Sequence, residues 1–222
     1  AHIDYVWLWP QHETVRKSLR TFGTQTMLLD HYGFFRFNQS QACLYADVET
    51  ADPSLFEEIL RHTREGRWEP VGGMWVESDT NMPSAESFNR QFLYGQSYFR
   101  SRFGLTCHSA WLPDTFGFSA VLPQLFLAAG LDSMLTTKVT WNETDSMPDN
   151  IFRWQGLDGS QILVHTFEAG IFGGYNMELS PRAVQEVWRL FKNKTLHDET
   201  LATYGYGDGG GGPTAEQVES IE

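Results

Sequence analysis

The sequence has little positive charge, few cysteines and no long hydrophobic run. Its 222 residues contain 16 Lys and Arg against 28 Asp and Glu, which gives a net charge of −12. This balance argues against a nucleic-acid partner, whose phosphates need a basic surface, and against an anionic membrane surface. No apolar run approaches the ~18 residues that a membrane span needs. We therefore predict a globular protein with neither a nucleic-acid nor a membrane partner.

The two cysteines, Cys43 and Cys107, are far apart and not in a Cys-x-x-Cys arrangement. We expect two free thiols in a reducing compartment, with a single disulfide as the alternative. No signal-peptide pattern is visible, so the expected location is cytoplasmic. Because the sequence begins at Ala1 and stops at Glu222 soon after a helix start, we expect a fragment of a longer protein.

Strand-like and helix-like segments alternate along most of the chain. This alternation predicts one α/β domain with a mostly parallel sheet or barrel. In such folds the active residues follow the carboxyl ends of strands. Helices are expected over 10–29, 84–103 and 120–129, and from Asp52 and Ser180 onward; strands are expected over 34–37, 42–45, 71–76, 108–112, 133–136, 152–154, 162–166 and 201–204.

Three loops carry residues that could take part in binding or catalysis. His2 and Asp4 are two residues apart, on one side of an extended backbone, and could share a divalent cation; a solvated turn is the alternative. Trp7 beside them could stack on a sugar or pack in the core. Asp114 follows a strand, as either a catalytic carboxylate or a helix cap. Asp208 is the ionisable residue of a glycine-rich loop that either approaches a ligand closely or serves as a flexible linker.

A fourth segment, residues 71–87, places Glu77 and Asp79 after a strand. These two carboxylates could bind hydroxyl groups or could be ordinary exposed loop charges.

Taken in order, the four segments resemble the catalytic domain of glycoside hydrolase family 38. The matching motifs are AHIDYVWLWP, GGMWVESD, WLPDTFGFS and GDGGGGPT, and the resemblance spans essentially all 222 residues. It implies a zinc-dependent retaining α-mannosidase with a seven-stranded, mostly parallel β/α barrel. In the family, a helical bundle and β-sandwich domains follow the barrel. Residues 1–222 would then be a single catalytic domain fragment, incomplete at both ends.

The resemblance also implies roles for individual residues. His2 and Asp4 match zinc ligands, and Asp114 matches both a ligand and the nucleophile that forms a mannosyl-Asp intermediate. Asp208 matches the proposed general acid/base. One Zn²⁺ per chain is expected, and the further histidine that the family uses as a ligand has no match here.

The expected substrate is a terminal α-mannosyl residue of a glycan or oligosaccharide. Trp7 matches the aromatic ring that stacks under the mannose, and Glu77 and Asp79 are candidate substrate contacts. Two alternatives stay open: a zinc-dependent carbohydrate deacetylase-like hydrolase, and a non-catalytic sugar-binding relative. Homo-oligomerisation of the full-length protein is likewise left open.

Overall fold

A computed structural model describes residues 2–167 and 174–221, and within them helices and strands alternate as expected. The strands are β1 (Phe37–Gln39), β2 (Trp68–Pro70), β3 (Ser109–Leu112), β4 (Ser133–Thr136), β5 (Ile151–Gln155) and β6 (Gln161–Thr166). The helices are α1 (Gln11–His31), α2 (Ala42–Ala51), α3 (Pro53–Arg64), α4 (Ala85–Phe103), α5 (Leu122–Ala128), α6 (Pro181–Leu190) and α7 (Ala215–Glu219).

The strands form two small sheets. One has the order β3-β4-β6-β5, in which β5 alone is antiparallel, and the other pairs β1 with β2 in parallel. The α/β class and the hairpin of β5 and β6 are therefore confirmed. The six strands of the described residues do not hydrogen-bond into one closed barrel, so the seven-stranded barrel stays a prediction.

Side-chain caps fix where several helices begin. Asp52 accepts the backbone N–H of Leu55 at 3.0 Å at the start of α3. Ser84 accepts that of Ser87 at 3.2 Å at the start of α4, and Thr214 forms a capping box with Gln217 at α7. These bonds satisfy amide groups that have no partner within the helix, which is why the predicted helix starts agree with the structure.

The core is centred on Trp68, which is 1% exposed. The rings of Phe22 and Phe37 lie 5.2 and 4.7 Å from its ring. Its indole N–H donates to the hydroxyl of Tyr45 at 2.9 Å, and that hydroxyl donates to the carbonyl of Gln39. The indole N–H of Trp68 and the hydroxyl of Tyr45 are thus both hydrogen-bonded, and the cluster packs α1 and α2 against β1 and β2.

The strand predicted over 34–37 is displaced, since β1 is Phe37–Gln39, and three further predicted strands are wrong. Residues 42–45 begin α2, and residues 71–76 form an irregular segment because Gly72 and Gly73 have φ of 85° and 71°, which no strand accommodates. Residues 201–204 contribute only the bridge between Tyr204 and Met177 within the described residues.

Both cysteines are buried and free, as predicted. Within residues 2–167 and 174–221, no helix is long and apolar enough to cross a membrane.

Candidate active site

The parallel strands bring several loops to one edge of the sheets. Asp114 comes two residues after β3, and Lys138 comes two residues after the neighbouring strand β4. Because parallel neighbours end at the same edge, these two side chains meet there, with Lys138 Nζ 2.8 Å from Asp114 Oδ1. Asp114 is thus a partly exposed carboxylate at a strand end, as the sequence predicts.

His2, Asp4 and Asp114 lie together at this edge. His2 Nε2 is 3.1 Å from Asp4 Oδ1 and 3.6 Å from Asp114 Oδ2. One ligand atom from each of the three residues lies within 4.8 Å of the others. A single imidazole nitrogen with two carboxylate oxygens is a donor set that zinc accepts. The predicted ligands therefore fit a divalent metal, with room for further ligands.

The far side of the His2 ring faces Glu77. Glu77 Oε2 lies 3.2 Å from His2 Nδ1, and Glu77 also accepts the hydroxyl proton of Ser40. A carboxylate behind a histidine fixes the tautomer and the ring orientation of a metal ligand. The Glu77 side chain is only 6% exposed, so its position favours this orienting role over the predicted substrate contact.

Three carboxylates surround one imidazole, and this changes its proton affinity. Burial alone would lower the pKa of His2, but the charge of Glu77 and hydrogen bonds to Asp114, Asp4 and Glu77 raise it well above its usual value. The three carboxylates therefore favour positive charge at the cluster. A divalent cation would meet the same excess of negative charge.

The two oxygens of Asp114 have different partners, and Oδ2 is the one that faces His2. Asp114 Oδ1 accepts hydrogen bonds from Lys138 and, at 2.6 Å, from the hydroxyl of Tyr175. Burial would raise the pKa of Asp114, but hydrogen bonds from His2, Lys138 and Tyr175 hold it well below its usual range. Asp114 is thus held in its ionised form.

Asp208 is linked to the same centre. The Tyr175 hydroxyl lies 3.3 Å from Asp208 Oδ1 as well as 2.6 Å from Asp114. The backbone carbonyl of Asp208 accepts the N–H of Asp4 at 2.9 Å. Asp208 has a φ of 54°, an uncommon conformation for a residue other than glycine. Tyr175 therefore bridges the two predicted catalytic carboxylates.

The glycine-rich loop around Asp208 is fixed to α1, which argues against a flexible linker. Arg20 donates to the carbonyl of Gly209 at 2.8 Å, and Thr21 donates to that of Gly210. Gly209 also forms a bridge with Ile3, between the two predicted ligands His2 and Asp4. A Cβ at Gly210 would overlap Ile3. Glycine here lets the loop lie directly against the segment that carries the ligands.

The remaining predicted site residues are Asp79, which lies beside the cluster, and Trp7, which lies on the surface. Asp79 lines a cavity of about 120 Å³ together with His2, Asp4 and Asp114, and its Oδ1 accepts two backbone N–H groups at 2.7 Å. Trp7 is 58% exposed and meets Trp9 edge to face at 5.9 Å. Its ring is thus free of the core, as a sugar-stacking role requires.

A family model for the N-terminal domain of glycosyl hydrolases family 38 matches residues 1–222. The chain belongs to this family.

Known relatives agree with this assignment. The chain is 42% identical to alpha-mannosidase G of Dictyostelium discoideum over 223 residues, which cover all of this chain and 20% of that protein. It is also 42% identical to human alpha-mannosidase 2C1 over 222 residues, covering all of this chain and 21% of that protein. The chain thus spans about a fifth of the length of these curated relatives.

A solved structure supports the fold. The crystal structure of an alpha-mannosidase from Enterococcus faecalis V583 superposes with a TM-score of 0.78 at 19% identity, over 99% of this chain and 25% of that one. At 19% identity this likeness shows a shared fold and nothing further.

Sequence reasoning missed two residues of this candidate site, Lys138 and Tyr175. Lys138 lies two residues after the end of β4, just as Asp114 lies two residues after the end of β3. This matching position after a strand was the signal that could have identified Lys138. Tyr175 lies in a short 3-10 turn, Gly174–Asn176, beyond the regular strands. No pattern near it in the sequence points to the site.

A separate acidic cluster lies on the surface of the domain. Asp30, Glu58 and His62 have ligand atoms within 4.8 Å of one another. However, Arg61 Nη2 lies among them, 2.7 Å from Asp30 Oδ1, 2.6 Å from Glu58 Oε2 and 3.0 Å from His62 Nε2. The guanidinium group of Arg61 therefore neutralises this cluster and lies where a metal ion would bind.

Proposed function

We propose that this family 38 chain carries the catalytic centre of a zinc-dependent retaining α-mannosidase. The proposal depends above all on Asp114, whose Oδ2 faces His2 while its Oδ1 is joined through Tyr175 to Asp208. One carboxylate is thereby connected to a metal-ligand cluster and to a second carboxylate. The identity of 42% to named alpha-mannosidases over the whole chain supports the same activity.

In this proposal His2, Asp4 and Asp114 would hold the metal, together with the further histidine that the family resemblance implies. Zinc bound there would supply a template for the neighbouring hydroxyl groups at C2 and C3 of mannose. Glu77 keeps the His2 ring in the orientation that presents Nε2 to the cluster.

Retaining glycosidases need two carboxyl groups about 5–5.5 Å apart. In this proposal Asp114 and Asp208, both in contact with the Tyr175 hydroxyl, are these two groups. Asp114, kept ionised by its neighbours, attacks the anomeric carbon, and Asp208 gives a proton to the departing oxygen. Tyr175 has one hydroxyl proton. When Tyr175 donates that proton to Asp114, a hydrogen bond between Tyr175 and Asp208 needs Asp208 as the donor. Asp208 can donate only in its protonated form, which is the form that the first step uses.

The substrate in this proposal is the terminal α-mannosyl residue of a glycan or oligosaccharide. Exposed Trp7 stacks on the apolar face of the sugar, and Asp79 accepts hydrogen bonds from its hydroxyl groups. A neutral sugar needs no steering by charge, which is consistent with the net charge of −12.

The proposal extends to fold and location. The proposal includes the seven-stranded barrel that the family resemblance implies. A cytoplasmic location is consistent with two buried free cysteines.

The stereochemical outcome tests the mechanism. Proton NMR of the mannose released from an aryl α-mannoside should detect the α-anomer first, before mutarotation. Release of the β-anomer would exclude a mannosyl-Asp intermediate and overturn the retaining mechanism.

The role of Asp208 is tested by Asp208→Asn with two substrates. Loss of a general acid costs about 10²–10⁴-fold in rate when the leaving group needs a proton. We expect that loss with a methyl α-mannoside and a much smaller loss of the first step with a dinitrophenyl α-mannoside. Equal losses on both substrates would argue against proton donation by Asp208.

A further inference from the structure

We propose that Lys138 is a further catalytic residue, which holds Asp114 Oδ1 as the attacking oxygen and speeds the second half of the reaction. This inference rests on the proposed function, since it needs a mannosyl-Asp intermediate. It goes beyond that function because it assigns different tasks to the two oxygens of Asp114 and gives a role to a cation that belongs to neither the ligand set nor the carboxylate pair.

The geometry separates the two oxygens of Asp114. Oδ2 lies 3.6 Å from His2 Nε2, on the side of the metal cluster. Oδ1 lies 2.8 Å from Lys138 Nζ and 2.6 Å from the Tyr175 hydroxyl. If Oδ2 is the metal-facing oxygen, Oδ1 is the one left to bond to the sugar. Lys138 therefore touches the reacting atom.

The ammonium group of Lys138 is held in place from two sides. It lies 3.8 Å from the ring centre of Trp141 and 5.4 Å from that of Tyr175, and the side chain is only 15% exposed. Aromatic faces attract a cation and limit its motion. A partly buried cation of this kind interacts with a neighbouring carboxylate more strongly than it would in water.

The charge on Oδ1 changes during the reaction. In the first half, Oδ1 bonds to the anomeric carbon as the glycosidic bond breaks, and the departing oxygen takes a proton from Asp208. Lys138 then faces a neutral ester. In the second half, Asp208 takes a proton from water, the water oxygen bonds to the anomeric carbon, and the carbon–Oδ1 bond breaks with its electron pair returning to Asp114.

Lys138 therefore favours the second half selectively. Negative charge leaves Oδ1 in the first half, so the ammonium stabilises the starting carboxylate more than the transition state. Negative charge returns to Oδ1 in the second half, so the ammonium stabilises the transition state more than the ester. Removing the ammonium group of Lys138 should slow hydrolysis of the mannosyl-Asp intermediate. Formation of the intermediate should be at least as fast as in wild type.

The test compares Lys138→Met with wild type in the native protein that carries this chain, using dinitrophenyl α-mannoside. We expect kcat to fall about tenfold or more, as for loss of a hydrogen bond to a charged group. KM should fall in parallel, so that kcat/KM stays nearly constant. Rapid mixing should give a burst of dinitrophenol, and intact-mass spectrometry should detect one mannosyl group on the enzyme.

Controls separate this role from a structural one. Lys138→Arg should restore most of kcat, and Lys194→Met, a cation beside Trp188 away from the site, should change nothing. If Lys138→Met fails to fold, Trp141→Leu, which removes one ring beside the ammonium, should give the same burst with a smaller fall in kcat.

Two results overturn the inference in distinguishable ways. If wild type retains configuration but folded, metal-loaded Lys138→Met loses kcat/KM without a burst or an adduct, Lys138 does not act in the second half and the proposed function stands. If wild type inverts configuration, the intermediate does not exist and the proposed function fails first.

Discussion

Glu77 Oε2 lies 3.2 Å from His2 Nδ1, on the side of the ring opposite the Asp4 and Asp114 carboxylates. The irregular segment that carries Glu77 is held against α4. The amide of Trp75 donates to the carbonyl of Gln91 at 2.8 Å, and a Cβ at Gly95 would overlap this segment. The close approach of α4 thus determines where Glu77 meets His2.

Glu77→Gln should weaken metal binding about 10–100-fold, because the amide removes the negative charge that orients His2 and raises its basicity. Competition with a chromophoric chelator measures this affinity. Glu86→Gln, at a surface ion pair with Arg90, is the matched control and should bind metal like wild type. Equal affinity of Glu77→Gln and wild type would remove Glu77 from the metal site.

Gly210→Ala should destabilise the protein more than Gly66→Ala. Both glycines are left-handed, with φ of 66° and 69°, but only Gly210 faces a neighbour, Ile3, that a Cβ would overlap. The conformation costs about 1–2 kcal/mol at either position, and overlap adds about 1–3 kcal/mol at Gly210. Thermal unfolding of both variants checks this difference. A similar change in Tm for both would contradict the close contact of the loop with Ile3.

Protonation of His62 should make stability fall in acid. Its buried ring lies 3.0 Å from Arg61 and 3.1 Å from Arg67. Burial and the charge of Arg61 lower the pKa of His62 in the folded protein. The unfolded chain binds the proton more readily, so this stability is fully present above about pH 6.5 and is lost as pH falls toward the lowered pKa.

Urea unfolding at about pH 7.5 and about pH 5.5 measures that effect. Wild type should lose more free energy of unfolding between these pH values than His62→Gln does. The same loss in both proteins would show that His62 does not contribute to the acid sensitivity.

Much of the fold was predictable because local signals agree with packing. Ser133–Thr136 is a strand with the bounds that were predicted, and Ser84 and Gly104 delimit α4 as expected. Residues 42–45 were not predictable in this way. Four successive apolar residues suit a buried strand and a buried helix equally, and all four are buried in α2. Tertiary packing decides between them.

The candidate site was predictable only where a motif carries it. His2 and Asp4 stand in one short motif and Asp114 in another that follows β3, and the structure brings the three together. Tyr175 reaches Asp114 across 61 positions of sequence, and a separation of that length leaves no local pattern. The orienting contact of Glu77 likewise depends on the path of residues 72–77 past α4, which composition and periodicity do not determine.

Hydrolysis of a 4-nitrophenyl α-mannoside by the native protein, before and after complete chelation, tests the central claim most directly. The proposed metal site at His2, Asp4 and Asp114 predicts that activity disappears with the chelator and returns when zinc is added. Cleavage that persists at full rate in metal-free protein, or a folded and zinc-loaded protein that does not cleave the mannoside, would contradict it.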